Sequence, residues 1–296
     1  MKDHVIAALR QIEDSAASNI WDAHQGCAAI AGALLCTEDL VDLNSRSALE
    51  HLVRQFAPLD NISLATAERK RPPLTFEIFA AKLLAEVAVA AEEPKEIGHD
   101  VIYAAYVLKA LDSFKITPWE SLLTHITGLV RKIKAAGPGW ITINGENQLR
   151  ALHEMDESTG SDYWSEFAAF DRPLQMEIGD MQLGHLLTHG HAITVLDRFG
   201  PAALSHDLNI AFRKRLQGLR IANGEQRDRS PLPVRKMDPR EKAYWSAASE
   251  HGDMHGHVLK YAYSFLELRK ERIRPLDMEA FGRIVWPDKN SVWTTP

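Results

Sequence analysis

The chain has 296 residues and a formal net charge of −6, and 45% of its residues are hydrophobic. This composition is typical of a globular protein and excludes a chain that is disordered throughout. The negative charge disfavours a polyanionic partner such as nucleic acid. The longest apolar run, 28–36, is too short to cross a bilayer, and the N-terminus lacks the apolar segment of a secretory signal. We therefore expect a cytoplasmic protein that binds neither nucleic acid nor membranes.

The first apolar segment carries both cysteines, Cys27 and Cys36. They lack the Cys-x-x-Cys spacing that is typical of thiolate zinc sites, and two cysteines do not make a disulfide framework. We interpret them as small core residues of a protein in a reducing compartment.

Helical periodicity dominates the chain from its N-terminus onward. Ser47 and Glu50 form a capping-box pattern that predicts a helix start ahead of LEHLVRQF. The Ala/Leu/Glu-rich segment 76–93 predicts the next helix.

A second capping-box pattern, with Thr117 as the cap, Pro118 at the first helical position and Glu120 as the reciprocal acid, precedes SLLTHITGLVRKIKAA. The Gly-Pro-Gly sequence at 137–139 should end that helix.

Irregular segments are few. Residues 140–143 form a candidate strand ahead of an Asn-Gly turn signal, but one strand does not make a sheet. Residues 156–162 and 223–240 have loop composition, and the second is either a solvated surface loop or a lid over a site. The sequence thus predicts an all-α fold, with a single multi-helix domain over 1–296.

One pattern occurs four times along the chain: a histidine followed by an apolar helical stretch of about a dozen residues. The copies are separated by 72 to 86 residues, which is compatible with helical hairpins stacked around a common axis. They read HQGCAAIAGALL from His24, HDVIYAAYVLKAL from His99, HLLTHGHAITVL from His185 and HVLKYAYSFLEL from His257.

Helices that are apolar on most faces are buried, and buried polar side chains need partners. A single histidine on such a helix is usually a hydrogen-bonded core residue. Four histidines at equivalent ends of four helices instead suggest that the imidazoles share a metal ion. We therefore predict a central metal site between the helices.

Other histidines also have informative spacings. His185 and His189 share one helix face, as His251 and His255 would if that segment is helical rather than a loop. His191 lies on another face than His185 and is a candidate for orienting a ligand. The remaining histidines are interpreted as structural: His4, His51, His125, His153 and His206.

Lys260 lies one turn after His257 and points into the same apolar stripe. A buried ammonium without a partner is costly, so burial favours the neutral amine. A neutral amine reacts with carbon dioxide to give a carbamate, an anionic oxygen ligand for a metal. The alternative is a lysine that extends its head group to solvent.

Together, the segments DAHQG, HDVI, HLLTHGHA and HVLK resemble, in this order, the helix-leading motifs of the questin oxidase-like family. The resemblance spans roughly residues 15 to 270, and the last two motifs are the most specific. Tyr103 and Tyr106 depart from the pattern, because they stand where relatives often have histidine.

The resemblance implies a helical, non-haem Fe(II) oxygenase that uses dioxygen to oxidise an aromatic, polyketide-type small molecule. It implies that His24, His99, His185, His257 and a carboxylated Lys260 bind the iron. Neutral imidazoles with one anionic oxygen suit Fe(II). Aromatic residues on the same helices are candidates for lining a substrate pocket or for plain core packing: Tyr103, Tyr106, Tyr261, Tyr263 and Phe265.

Two alternatives remain open at this point. An HD-type metal phosphohydrolase would use His24, the His99-Asp100 doublet and a later aspartate such as Asp197, but it leaves the last two motifs unexplained. The other is a non-catalytic helical protein with a degenerate site. The bound metal and the tolerance of His→Ala changes distinguish the three.

Overall fold

The computed structural model describes residues 1–59, 72–89, 98–135, 179–224, 238–251, 256–270 and 281, with backbone alone for 179–183, 214, 216–224 and 250–251. This part of the chain forms ten α-helices and a short 3-10 helix at Ile20–Asp22. The α-helices are α1 (Lys2–Ser15), α2 (Ala23–Thr37), α3 (Leu43–Phe56), α4 (Phe76–Ala88), α5 (His99–Ser113), α6 (Glu120–Ala135), α7 (Gly179–Asp197), α8 (Ala202–Gly224), α9 (Lys242–His251) and α10 (His257–Lys270).

The all-α prediction is confirmed. Within the described residues the chain forms no strand, and its one β-type pairing is an isolated bridge between Pro73 and Trp119. None of the described helices has the length and apolarity needed to cross a membrane.

Both predicted capping boxes are wrong in detail. Helix α3 begins at Leu43 behind Asp42, so Ser47 and Glu50 lie inside the helix. Helix α3 begins earlier than predicted because a tertiary contact holds the residue before it: the Asp42 amide donates to the Arg240 carbonyl. Local sequence patterns cannot anticipate such a contact.

The start of α6 is also later than predicted, at Glu120 rather than at Pro118. Here the chain pairs with the segment before α4. The Leu74 amide donates to the Pro118 carbonyl, and the Glu120 amide donates to the carbonyl of Pro72. The backbone groups that would have begun the helix are used in this bridge instead.

Helix α4 follows the prediction at its start, where the Thr75 side chain accepts from the Ile78 amide, but it ends at Ala88. Helix α8 runs through Gly224, so the predicted loop 223–240 begins later than expected. The strand 140–143, the turn-like 137–139, the loop 156–162 and most of the proposed lid lie outside the described residues.

Four helices form the centre of the molecule: α2, α5, α7 and α10. Each packs against the next, and α10 packs back on α2, so the four make a closed ring. As the sequence predicts, they are buried on nearly all faces. Both cysteines lie in α2, buried and free, and burial raises the pKa of the Cys27 thiol to about 12.

All four central helices run in the same direction. Their starting histidines meet at one end, and charged residues from their other ends meet in a separate cluster. This charged cluster, here called the ion network, consists of Glu38, Lys109, His191, Arg198 and Glu267. Every central helix contributes to it, with Glu38 and Arg198 directly following α2 and α7.

Glu267 is the hub of the ion network and is buried. Its carboxylate accepts from Lys109 Nζ at 2.8 Å, from His191 Nε2 at 2.7 Å and from Arg198 at 3.2 Å. Lys109 Nζ also lies 3.0 Å from Glu38. Burial favours the neutral acid, but His191 and Lys109 outweigh it and hold the pKa of Glu267 well below its usual value. The helix ends are thus joined by paired, hydrogen-bonded charges.

We expect Glu267→Gln to lower the free energy of unfolding by about 1.5–3 kcal/mol, because it removes the carboxylate that Lys109, His191 and Arg198 share and leaves Lys109 paired with Glu38 alone. The folded-state pKa of Glu267 lies below its unfolded value of about 4.3. Its contribution is therefore complete above that pH and is lost as the pH falls further. Urea unfolding of both proteins at neutral and acidic pH should show the difference shrinking in acid.

Glu50→Gln is the matched control, since Glu50 pairs with Arg54 at 3.6 Å on the exposed face of α3. Such surface pairs contribute about 0–1 kcal/mol. A Glu267→Gln protein as stable as this control at neutral pH would show that the ion network does not hold the helix ends together.

Candidate metal centre

The four histidines that the sequence singles out come together in the structure. His24, His99, His185 and His257 are each at most 3% exposed, and each lies at or near the start of its central helix. We call them the four-histidine cluster. The helices bring them together because all four run in one direction. Three of them begin at or next to their histidine, whereas α7 begins at Gly179, six residues before His185.

The imidazole rings form a closed circuit in the order of the chain. Centroids lie 4.6 Å apart for His24 and His99, 4.6 Å for His99 and His185, 5.0 Å for His185 and His257, and 5.0 Å for His257 and His24. Across the circuit, His24 and His185 are 5.8 Å apart.

This spacing fits a shared ion. Imidazoles bound at about 2.1 Å to one metal have ring centroids about 4.5 to 6.4 Å apart, from adjacent to opposite positions. Ordinary aromatic pairs have similar spacings, so the distances alone do not identify a metal site. The nitrogen donors add the stronger argument, because ligand atoms of His24, His99 and His185 all lie within 4.8 Å of one another. The His257 ring packs on His24 and His185, but His257 is not part of this set of closely spaced ligand atoms.

Lys260 lies inside the same end of the bundle. It is 2% exposed, and its Nζ lies 2.5 Å from Nδ1 of His24. The alternative in which its head group reaches solvent is therefore wrong. A lysine amine in contact with one of the clustered imidazoles is in a position to take part in metal binding.

Burial and the positive charge of Lys260 hold the pKa of His24 well below its usual value, and the neighbouring histidines lower it further. His24 is thus neutral at physiological pH. A neutral imidazole is the form that binds a metal. The helices α2, α5 and α10 begin at or next to their histidines, so the positive ends of their dipoles lie in this region and favour an anionic group there.

Tyr261 fixes the orientation of His185. Its hydroxyl lies 3.2 Å from His185 Nδ1. A hydrogen bond at Nδ1 directs metal binding to Nε2. The Tyr261 ring packs so closely on Gly184 that a Cβ at that position would overlap it. Only glycine allows this contact between α7 and α10.

Trp21, which sequence reasoning missed, covers one side of the cluster. Its ring stacks on His24 at 5.6 Å and meets His99 edge-on at 5.1 Å. It is half-buried and lies in the 3-10 helix, where the Asn19 side chain accepts from its amide. A tryptophan three residues before His24 is a local signal, but nothing in the sequence indicates its contact with His99.

The predicted aromatic lining divides into two groups. Tyr103 contacts His24 and His99, and Tyr261 contacts His185 and His257. The other three pack elsewhere in the core, although the Tyr106 hydroxyl donates to the Lys260 carbonyl at 3.3 Å. Tyr106 and Tyr263 pack on each other, and Phe265 stacks on Phe281.

The other predicted histidines have different surroundings. The expectation that His191 orients a metal ligand is wrong, because it bonds to Glu267 and Ser264 in the ion network. His189 is buried and lies by Arg215. The side chains of His251, His255 and His153 lie outside the described residues. The isolated histidines match the structural interpretation: His4 bonds to Ala57, His51 to Gln55 and His125 to Ser121, and His206 is exposed.

The phosphohydrolase alternative needs two aspartates in this region. Asp100 is buried but is not part of the triad of close ligand atoms. Asp197 is exposed at the end of α7, 12 residues after His185 and thus about 18 Å along the helix axis. Asp197 therefore does not reach the four-histidine cluster.

The fold and the cluster define an all-α protein with buried histidines that can hold a metal ion. Comparisons with protein-family models, with curated proteins and with solved structures found no match to this chain. The chemistry of the four-histidine cluster is therefore the basis on which a function can be inferred.

Proposed function

We propose that this protein is a non-haem iron-dependent oxygenase, which uses dioxygen to oxidise an aromatic or polyketide-like small molecule. The observation that carries the proposal is the four-histidine cluster, in which one buried imidazole from each central helix contacts its neighbours. Burying four imidazoles in an apolar core is costly unless a common partner satisfies them.

The donor set narrows the choice of metal. Imidazole suits zinc, copper, iron and nickel, whereas magnesium and calcium prefer oxygen ligands. The choice of iron rests on the resemblance of the four histidine motifs to the questin oxidase-like family. When bound, Fe(II) would supply the electrons that activate dioxygen.

Lys260 supports this assignment, and we propose that it carries a carbamate. Its amine is buried against His24, where the helix dipoles favour an anion. The close triad consists of histidines alone and offers no anionic ligand. A carbamate on Lys260 would add an anionic oxygen to the four neutral imidazoles.

The protein's own residues would shape the reaction space around the iron. Tyr261 holds His185, and Trp21 shields His24 and His99 from solvent. Tyr103 and Tyr261 present aromatic rings to the cluster, and a planar substrate could stack on such rings. These contacts would exclude water and would hold an aromatic substrate ring beside the four-histidine cluster.

Metal analysis after anaerobic purification tests the proposal. We expect about one iron per chain, removable by a chelator, because all four histidines belong to one cluster. The Fe(II) protein should consume dioxygen when given 1,8-dihydroxyanthraquinone as a probe substrate. The zinc-reconstituted protein is the matched control, since zinc has no redox chemistry.

Two outcomes would contradict the proposal. Phosphatase activity on p-nitrophenyl phosphate with a metal that depends on Asp100 would favour the phosphohydrolase. A chain that takes up no iron, zinc or cobalt on reconstitution would favour the degenerate site.

A further inference from the structure

Tyr106 carries a buried hydroxyl that the proposed site does not use. The residue is 4% exposed on α5, and its hydroxyl donates to the backbone carbonyl of Lys260 on α10 at 3.3 Å. Helices α5 and α10 lie across the closed ring from each other, since each packs on both α2 and α7. The bond therefore crosses the centre of the bundle and ties the turn of α10 that carries Lys260 to the opposite helix.

Ser264 meets Tyr106 at the same carbonyl. In helix α10 the amide of Ser264 donates to the carbonyl of Lys260, one turn earlier, and Ser264 is fully buried. Burial holds the pKa of Tyr106 well above its usual value, and a hydrogen bond with the Ser264 side chain acts in the opposite direction. A tyrosine hydroxyl has one hydrogen. Because Tyr106 gives it to Lys260, the Ser264 hydroxyl must be the donor in the bond between the two side chains.

The two hydrogen bonds of His191 then decide its charge. Oγ of Ser264 lies 3.1 Å from Nδ1 of His191, and the only hydrogen of this hydroxyl is given to Tyr106, so Nδ1 must donate. Nε2 lies 2.7 Å from the Glu267 carboxylate, which can only accept, so Nε2 donates as well. Both ring nitrogens carry a hydrogen, and His191 is an imidazolium.

The charges around His191 come from all four central helices. Besides Glu267 on α10, the charged members of the ion network are Glu38 after α2, Lys109 on α5 and Arg198 after α7. With a charged His191, the network holds three cations and two carboxylates. Charge balance alone would therefore favour a neutral ring, so the hydrogen bond to Ser264 is the contact that requires the imidazolium.

We propose that Tyr106 is a positioning residue for Lys260, held in that role by a one-way chain of hydrogen bonds that starts at the His191 imidazolium. His191 donates to Ser264, which donates to Tyr106. A neutral His191 would take the Ser264 hydrogen at Nδ1 instead, and the Tyr106 hydroxyl would turn from Lys260 to Ser264. His191 itself acts only through these two hydroxyls. The role for Lys260 rests on the proposed function, whereas the chain does not.

Histidine-selective ¹⁵N NMR of the metal-free protein tests the chain. At neutral pH both ring nitrogens of His191 should carry a hydrogen, with the signals assigned from a His191→Gln variant. Tyr106→Phe removes the acceptor of the Ser264 hydrogen, so Ser264 should donate to Nδ1 and the ring should become neutral. Tyr263→Phe is the matched control and should keep both hydrogens, because Tyr263 is a similarly buried tyrosine that packs on the His191 ring outside the chain.

Equilibrium dialysis with Co(II) tests the effect on Lys260. Loss of a residue that holds a metal ligand in place costs about 10–100-fold in metal affinity. Tyr106→Phe should therefore bind Co(II) at least about tenfold more weakly than Tyr263→Phe. Equal affinities of the two variants would remove the positioning role.

The NMR measurement can overturn the chain without any metal. A wild-type His191 with one ring nitrogen that carries no hydrogen would show that the donors do not run in this direction. An imidazolium that persists in Tyr106→Phe would show that Tyr106 is not part of the chain. A wild type that binds no Co(II) would contradict the proposed function and the positioning role with it, while the chain stands or falls on the NMR result.

Discussion

Replacing His185 with alanine is expected to abolish stoichiometric metal binding while the helical fold persists. His185 is central in the circuit of rings, with contacts to His24, His99 and His257. Loss of a residue that merely supports a ligand costs about 10–100-fold in metal affinity, so loss of a ligand should cost more. Equilibrium dialysis with Co(II), read by metal analysis and by the cobalt electronic spectrum, measures this directly. Circular dichroism should stay strongly helical.

His51→Ala is the matched control, because His51 is an exposed helical histidine that bonds to Gln55. Metal should raise the unfolding temperature of the wild type and of this control. A free metal concentration of 100 times the dissociation constant should stabilise each protein by about 2.7 kcal/mol. It should not stabilise His185→Ala. A His185→Ala protein that binds Co(II) as tightly as the control would show that the cluster is not a metal site.

The sequence predicts the parts of this structure that depend on local pattern. An apolar run with a leading histidine specifies a buried helix, and all four such helices are present, but α7 begins at Gly179, six residues before its histidine. The convergence of the histidines also follows, because burying four polar rings separately would leave each to find its own partner. The helix boundaries at Leu43 and Glu120 do not follow, since bonds to distant backbone groups set both.

Ion pairs between residues that are far apart in the chain could not be predicted from the sequence. Lys109 and Glu267 are 158 residues apart, and each looks like a surface charge at a helix end. These two residues become visible only when the common direction of the central helices is known, because that direction collects histidines at one end and charges at the other.

The common direction of the four helices has an electrostatic consequence for the candidate centre. The positive dipole ends of α2, α5 and α10 meet where a metal cation is proposed to bind, and they oppose it by a few tenths to about 1 kcal/mol each. An anionic ligand reverses the sign of this effect. We propose that Lys260 supplies one by way of a carbamate, since its Nζ lies 2.5 Å from Nδ1 of His24.

Lys260→Ala should therefore remove metal binding and turnover together. In the carbamate, the amine nitrogen bonds to the carbon of carbon dioxide and releases one proton, so a neutral side chain becomes an anion. Without it, a cation would face neutral imidazoles in a low-dielectric core. Helicity should survive, because alanine is the better helix former. Metal analysis and oxygen uptake measure both losses, and Lys82→Ala, at an exposed lysine of α4, is the control.

Two further measurements separate a carbamate from a lysine that only contacts His24. The wild-type protein freed of bicarbonate should bind Co(II) more weakly and recover when bicarbonate is added back. Lys260→Glu restores a carboxylate on a shorter arm, so it should recover part of the affinity and be insensitive to bicarbonate. If Lys260 acts only through its contact with Nδ1 of His24, bicarbonate should have no effect on either protein. A Lys260→Ala protein with full metal occupancy and turnover would rule out the carbamate, even if the four histidines bind the metal.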